Sequence, residues 1–181
     1  MSLTVVLGAR RSGKSAVAER LAVATRAPVA YLAPLTVTDP ELQARVAAHR
    51  ARRPPEWRTV ESHDPLSALD DVVSGETVLL DSLGTWVSEV LWRGGALEDS
   101  PRADPTATIA ELAQAVDVFA ARTAVRPEAT VVVAEEAGWG PVPPDPATRR
   151  WLDALGDAAQ ACVRRADRAL LVVAGREIEL P

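Results

Sequence analysis

The sequence GARRSGKS at residues 8–15 constrains the fold more than any other part of the chain. It matches G-x-x-x-x-G-K-[ST], the pattern of a loop whose backbone N–H groups turn inward around phosphate oxygens. Such a loop follows a strand and opens a helix, because the helix N-terminus contributes its dipole to the anion site. The flanking residues agree, since 3–7 form an apolar, β-branched run and 14–26 have helical spacing. The sequence therefore predicts a P-loop NTPase, with an ordinary glycine-containing turn as the alternative.

Lys14 in this loop is the only lysine among the 20 lysine and arginine residues of the chain. Its compact ammonium can reach between the β- and γ-phosphates, where the forked guanidinium of arginine does not fit in the same way. We therefore predict that Lys14 is catalytic and that the Ser15 hydroxyl binds Mg²⁺. The predicted nucleotide contacts in the loop are Gly8, Ala9, Arg10, Arg11, Ser12, Gly13, Lys14 and Ser15.

Apolar strands alternate with amphipathic helices along the whole chain. The predicted strands cover 3–7, 28–33, 57–61, 76–81, 129–135, 168–175 and 176–180. The predicted helices cover 14–26, 39–53, 82–95, 107–122 and 147–165, with a polar loop at 96–106. This order predicts an α/β fold in which helices cover both faces of a mainly parallel sheet, with an antiparallel edge at the C-terminus. The length of 181 residues and the hydrophobic content of 48% predict one domain, residues 1–181.

The composition excludes several classes of partner. The net charge of −5 argues against nucleic-acid binding, which favours a basic surface. No apolar run approaches the ~18 residues of a membrane span, and residues 3–7 lead into the glycine loop without room for a signal peptide. The chain is therefore expected to be cytoplasmic. Cys162 lies in an apolar helical pattern and is predicted to be a buried core thiol.

Asp81 ends the predicted strand 76–81, beyond which parallel sheets bind their ligands. A carboxylate at this position of P-loop enzymes holds Mg²⁺. Asp81 could instead cap the helix 82–95. Because the phosphate loop is present, we predict that Asp81 is a metal ligand together with Ser15.

His49 lies in a cluster of arginines within an acidic chain. Such a cluster predicts an anionic partner smaller than nucleic acid. Histidine can attack phosphorus covalently, and neighbouring cations favour its neutral, nucleophilic form. On residue types alone, a solvated basic helix face with an incidental histidine is the favoured interpretation. His63 is predicted to be a loop residue, and Glu61 is a candidate contact of the base or the ribose.

The strings GARRSGKS, RVAAHRARRPPEWRTVE, LLDSLGTWVSEVL and EEAGWGPVP occur in this order along the chain. Together they resemble the successive motifs of the bifunctional adenosylcobinamide kinase / adenosylcobinamide-phosphate guanylyltransferase family of cobalamin biosynthesis. The resemblance runs from Leu3 to about Ile178 and so covers nearly the whole chain. Its most specific part is the string from His49 to Glu61, because many enzymes share the phosphate loop.

The resemblance implies two reactions. ATP or GTP first phosphorylates the terminal hydroxyl on the aminopropanol arm of adenosylcobinamide. GTP then guanylylates a histidine and releases pyrophosphate, and the GMP passes to the new phosphate to give adenosylcobinamide-GDP. The resemblance also implies a RecA-like fold and a homotrimer.

The nucleophile of the family matches His49, so the resemblance implies that this residue is catalytic. The guanine-nucleotide contacts that it implies, besides residues 8–15, are Arg50, Ala51, Arg52, Arg53, Glu61 and Asp81. Two other interpretations stay open. One is a different P-loop small-molecule kinase that uses 96–106 as a lid and leaves His49 idle. The other is a nucleotide-binding switch or assembly protein without turnover.

The chain departs from the family pattern at several positions. Glu135 and Glu136 stand where the family commonly has Asn-Glu, and Ala159 replaces the asparagine of an Asn-Gln pair. Glu89 replaces another asparagine, and residues 34–36 read PLT in place of a polar triplet. Two amides near the expected site are thus exchanged for carboxylates.

Overall fold

The structure, a computed structural model, describes residues 2–34, 46–47, 50–51, 53–98 and 104–181. The strands in this part of the chain are β1 (Leu3–Gly8), β2 (Val29–Ala33), β3 (Arg58–Glu61), β4 (Thr77–Asp81), β5 (Thr130–Glu135), β6 (Arg168–Val173) and β7 (Arg176–Leu180). They form one sheet in the order β3-β2-β4-β5-β1-β6-β7. Every neighbouring pair is parallel except β6 and β7, which are antiparallel. The predicted α/β architecture and its antiparallel C-terminal edge are confirmed.

The strand bounds agree with the sequence to within one or two residues. Buried parallel strands read as continuous apolar runs, and the central strands are buried along most of their length. The predicted strand 168–175 ends earlier, at Val173, because Ala174 and Gly175 form a tight hairpin turn. Their φ angles of 49° and 77° suit the two-residue turns that join antiparallel strands.

The helices among the described residues are α1 (Lys14–Ala24), α2 (Pro65–Ala68), α3 (Leu83–Arg93), α4 (Pro105–Ala124) and α5 (Pro146–Val163). Three of them begin with an aspartate cap followed by proline, a combination that satisfies a backbone N–H and presets the first helical φ. Because of this start, α4 begins at Pro105, two residues before the first residue predicted for this helix, 107. Only parts of the predicted helix 39–53 and loop 96–106 are described, and residues 46–47 and 50–51 are helical.

Helices bury apolar residues against both faces of the sheet. On one face, Trp86 of α3 and Phe119 of α4 pack edge to face with ring centroids 5.4 Å apart. On the other face, Val17 and Ala18 of α1 are buried against the sheet. Cys162 is buried, and desolvation raises the pKa of its thiol to about 12, as expected of a core thiol. None of the helices in the described part of the chain has the length and apolarity that a bilayer span requires.

Two glycines occupy opposite steric environments. At Gly8, where β1 enters the phosphate loop, an added Cβ would lie 2.8 Å from the Val172 carbonyl oxygen and would also overlap Ser12 Oγ. At Gly156, in the middle of α5, an added Cβ would meet nothing within 4 Å. The loop therefore needs glycine at position 8, whereas the helix itself does not need it at position 156.

We expect Gly8→Ala to lower the free energy of unfolding by about 2 kcal/mol, because the methyl group overpacks the loop against β6. Gly156→Ala is the matched control, and it should raise the free energy of unfolding by about 1 kcal/mol through helix propensity. Urea denaturation followed by circular dichroism measures both changes. Equal stability of the two variants would contradict the packing account of the loop.

Candidate active site

The phosphate loop is held in a defined turn at the carboxyl end of β1. Gly13 has a φ of 98°, a left-handed conformation that favours glycine, and α1 begins at the next residue. Arg11 is also left-handed, with a φ of 62°, a backbone conformation that is uncommon for residues other than glycine. The Gly175 amide donates to the Ser12 carbonyl at 2.7 Å and ties the loop to the β6–β7 turn. The helix N-terminus thus opens directly from the loop, as an anion site requires.

Lys14 is largely buried and faces a carboxylate from β5. Its Nζ lies 3.9 Å from Glu135 Oε1, and the exposed fractions of the two side chains are 11% and 26%. The other carboxylate oxygen, Oε2, accepts a hydrogen bond of 2.9 Å from the Gly84 amide at the start of α3. The carboxylate of Glu135 therefore connects β5 with the first turns of α1 and α3.

Ser15 and Asp81 face each other across the same sheet edge. Ser15 Oγ lies 3.4 Å from Asp81 Oδ1, while the Tyr31 hydroxyl donates to Asp81 Oδ2 at 2.8 Å. Burial, and then the charge of Asp81, raise the pKa of Tyr31, so its hydroxyl keeps the proton that it donates. Ser82 is the residue that caps α3, so the alternative role of Asp81 as the helix cap does not hold.

Arg53 and Arg50 approach from the segment that precedes β3. The Arg53 guanidinium carbon lies 3.2 Å from the centroid of the Tyr31 ring, within cation–π range. Among the described residues, the buried Arg53 Nε finds no hydrogen-bond partner. Arg50 forms an exposed ion pair with Glu61, at the end of β3. These two arginines bring positive charge to the same side of the sheet as Tyr31 and Glu61.

These groups line one cavity of about 380 Å³, called the first cavity below. Its lining residues are Lys14, Ser15, Tyr31, Ala33, Val46, Arg50, Arg53, Thr59, Glu61, Asp81, Ser82, Gly84, Thr85, Ser88, Glu135 and Trp151. Of the sequence-predicted residues, the structure brings together Lys14, Ser15, Arg50, Arg53, Glu61 and Asp81. Residues 8–13 precede Lys14 without lining the cavity, and Ala51 is helical and exposed on the chain's surface. His49 and Arg52 lie outside the described residues.

Sequence reasoning missed the polar wall at the other end of the first cavity. The Trp151 indole donates to Ser88 Oγ at 2.7 Å, and the Ser88 hydroxyl donates to the Gly84 carbonyl at 2.8 Å. Tyr31 was also missed, although a polar-tipped aromatic near the end of a predicted strand was a usable signal. Trp151 and Ser88 meet only through the fold, so no local pattern indicated them.

Glu89, the carboxylate at a position where an asparagine is usual, is not among the residues that line the first cavity. It is buried, with an exposed side-chain fraction of 8%, and its Oε1 lies 2.9 Å from His63 Nδ1. The Arg93 Nε donates to the same oxygen at 2.8 Å. His63 lies between β3 and α2, as expected of a loop residue, and its side chain contacts this buried carboxylate.

Comparison with known proteins identifies the family. The sequence profile described as "Cobinamide kinase / cobinamide phosphate guanyltransferase" matches residues 4–180. The bifunctional adenosylcobalamin biosynthesis protein CobP of Pseudomonas aeruginosa is 34% identical, over 97% of this chain and 95% of its own length. The corresponding CobU proteins of Escherichia coli and Salmonella typhimurium are 32% and 31% identical, over 98% of this chain and 99% of theirs.

A solved structure supports the fold independently. The crystal structure of the RadB recombinase superposes with a TM-score of 0.51 and 20% identity, over 94% of this chain and 73% of that one. A likeness at this identity concerns the architecture alone, and it confirms the RecA-like arrangement of the sheet. Because the family profile extends from the first strand to the last, the chain belongs to the cobinamide kinase / cobinamide phosphate guanyltransferase family.

Proposed function

We propose that the first cavity carries out both reactions of this family. In the first, ATP or GTP phosphorylates adenosylcobinamide on its aminopropanol hydroxyl. In the second, GMP passes from GTP through a GMP–histidine intermediate to the new phosphate, giving adenosylcobinamide-GDP. The observation that carries the proposal is the convergence of Lys14, Ser15, Asp81, Arg50 and Arg53 on one cavity in a chain of this family.

In the kinase half, the phosphate loop and the N-terminus of α1 would hold the β- and γ-phosphates. Lys14 would move from Glu135 to the phosphoryl group being transferred and stabilise its charge. Its separation of 3.9 Å from Glu135 is longer than a charge-assisted hydrogen bond of about 2.8 Å, so little holds it back. The acceptor hydroxyl would attack the γ-phosphorus while the bond to the β-phosphate oxygen breaks.

Ser15 and Asp81 fit a magnesium ion. A hydroxyl and a carboxylate oxygen are the hard ligands that Mg²⁺ prefers, and it takes its remaining ligands from phosphates and water. When bound, the ion would neutralise charge on the phosphates, and Tyr31 would keep the Asp81 carboxylate oriented through its hydrogen bond.

In the transferase half, we assign the nucleophile to His49. Its sequence neighbours Val46 and Arg50 are helical and line the first cavity, and their position there supports this assignment. The imidazole would attack the α-phosphorus of GTP, and pyrophosphate would leave. Arg53, whose Nε has no partner among the described residues, would offset the charge of the leaving group. Glu61 would contact the base or the ribose.

We also propose that residues 1–181 act as one domain within a cytoplasmic homotrimer. The single sheet that includes all the described strands supports one domain. The family resemblance supports the trimer, and the nucleotide substrates that the site requires are made in the cytoplasm. Light scattering after size-exclusion chromatography measures the number of subunits.

The transferase assignment predicts where label from GTP stays on the chain. With GTP labelled at the α-phosphate, we expect the wild-type chain to retain label that is acid-labile and base-stable, as a histidine phosphoramidate is. His49→Ala should retain none, because the attacking nitrogen is absent. The chain has only one other histidine, so His63→Ala is the matched control and should be labelled like the wild type. Equal labelling of both variants would place the nucleophile elsewhere, and no labelling of the wild type would leave the kinase activity alone.

The kinase assignment predicts that a positive charge at position 14 is not by itself sufficient for phosphoryl transfer, because the shape of the side chain also matters. Lys14→Arg should lower kcat of adenosylcobinamide phosphorylation by about tenfold or more, because a guanidinium misplaces the γ-phosphate. Arg20→Lys makes the reverse exchange on the exposed side of the same helix and should leave kcat unchanged. Steady-state kinetics with saturating nucleotide separate kcat from binding. A Lys14→Arg enzyme with wild-type kcat would refute the steric argument.

A further inference from the structure

Glu135 lies between the first cavity and a second cavity of about 450 Å³. The second cavity lies between α5 and the segment that follows β5, and it is lined by Leu7, Glu135, Glu136, Ala137, Gly138, Leu152, Leu155, Gly156, Ala159, Gln160, Val163 and Arg164. Glu135 belongs to both walls, and its Oε1 is the oxygen that faces Lys14. A molecule in the second cavity would therefore meet a carboxylate directly beside the phosphate-binding lysine.

Gly156 is a wall residue of the second cavity that the packing of the chain does not explain. It lies in the interior of α5, where glycine destabilises a helix relative to alanine. Nothing in the described chain lies within 4 Å of a Cβ added there, so internal packing does not explain the glycine. It faces the second cavity. Close approach of a ligand to backbone is the other common reason for glycine at such a position.

The walls of the second cavity suit one edge of a large amphipathic molecule. Leu152, Leu155 and Val163 supply apolar surface, while Gln160 and Arg164 add hydrogen-bond donors. A corrinoid combines an apolar ring edge with amide side arms, which accept such hydrogen bonds. The volume of about 450 Å³ accommodates part of that molecule, and Glu135 is among the residues that such a part would meet.

We propose that the second cavity seats the acceptor alcohol of the kinase reaction and that Glu135 is the base that accepts its proton. This inference rests on the proposed function. The O–H bond of the acceptor breaks, its proton passes to Glu135 Oε1, its oxygen bonds to the γ-phosphorus, and the nucleoside diphosphate leaves. The Gly84 amide holds Oε2, so Oε1 is the oxygen directed at the reacting atoms. A general base needs this placement within hydrogen-bond reach of the proton that it takes.

Substitutions at Glu135 and at Gly156 test the two parts of the proposal, each with adenosylcobinamide as acceptor. Glu135→Gln keeps the shape of the side chain and removes the base, so kcat of phosphorylation should fall by about 100-fold. The KM for nucleotide should change by less than about twofold, and α-labelled GTP should still label the chain, because neither needs a base at the acceptor. Glu135→Asp should retain more activity than Glu135→Gln, since it keeps a carboxylate.

Gly156→Leu adds a side chain to a wall of the second cavity, where an added Cβ meets nothing within 4 Å, and it replaces a poor helix former, so the variant should fold. We expect the KM for adenosylcobinamide to rise by about tenfold while the KM for nucleotide stays the same. This is the result expected when a substitution weakens binding of the acceptor and leaves the nucleotide site intact. Asp153→Leu is the matched control, because this residue is exposed on the same helix and lines neither cavity. Its KM values should equal those of the wild type.

Three outcomes would overturn the proposal. A wild-type kcat in Glu135→Gln would show that Glu135 takes no proton. A loss of kcat accompanied by a raised KM for nucleotide would show that Glu135 only positions Lys14. A Gly156→Leu enzyme that matches Asp153→Leu would place the acceptor elsewhere. If the wild-type chain phosphorylates no adenosylcobinamide, the proposed function itself fails, and this inference fails with it.

Discussion

The parallel pairing of β1 with β5 and β6 is the constraint on which the active site depends. This register sets Gly8 opposite Glu135 on one side and opposite Val172 on the other. The phosphate loop therefore leaves the sheet beside the carboxylate of β5, and it has no space for a side chain at its first residue. A shift of one residue would turn every side chain of β1 to the opposite face and separate Lys14 from Glu135.

Tyr31 connects the groups assigned to the two proposed reactions. Its hydroxyl orients Asp81, which we assign to the metal of phosphoryl transfer, while its ring supports the Arg53 guanidinium. Burial and the neighbouring carboxylate raise the pKa of Tyr31 and keep the hydroxyl protonated. One aromatic side chain thus contacts both a carboxylate and a cation that line the same cavity. This arrangement gives a physical reason for two nucleotide reactions to share one site.

The sequence was sufficient for features that depend on local spacing, and insufficient for those that depend on the fold. Strands were predictable because buried parallel strands are apolar runs, and Lys14, Ser15 and Asp81 were predictable because their motifs are contiguous or end a strand. The helix α2 has four residues, which is too short for any periodicity to show. Trp151 reaches Ser88 from 63 residues away in the chain, so only the packing of α5 beside α3 reveals their contact.

The two carboxylates that replace amides in this chain, Glu89 and Glu135, differ in the cations that they contact. Glu89 is paired within the chain, because Arg93 Nε and His63 Nδ1 lie 2.8 Å and 2.9 Å from its Oε1. Glu135 faces Lys14, and a bound nucleotide competes for that lysine. When Lys14 turns to the phosphates, Glu135 Oε1 becomes free to accept a hydrogen bond from the hydroxyl of an acceptor alcohol, which is the placement that a general base needs. Nucleotide and acceptor would therefore meet at this one carboxylate.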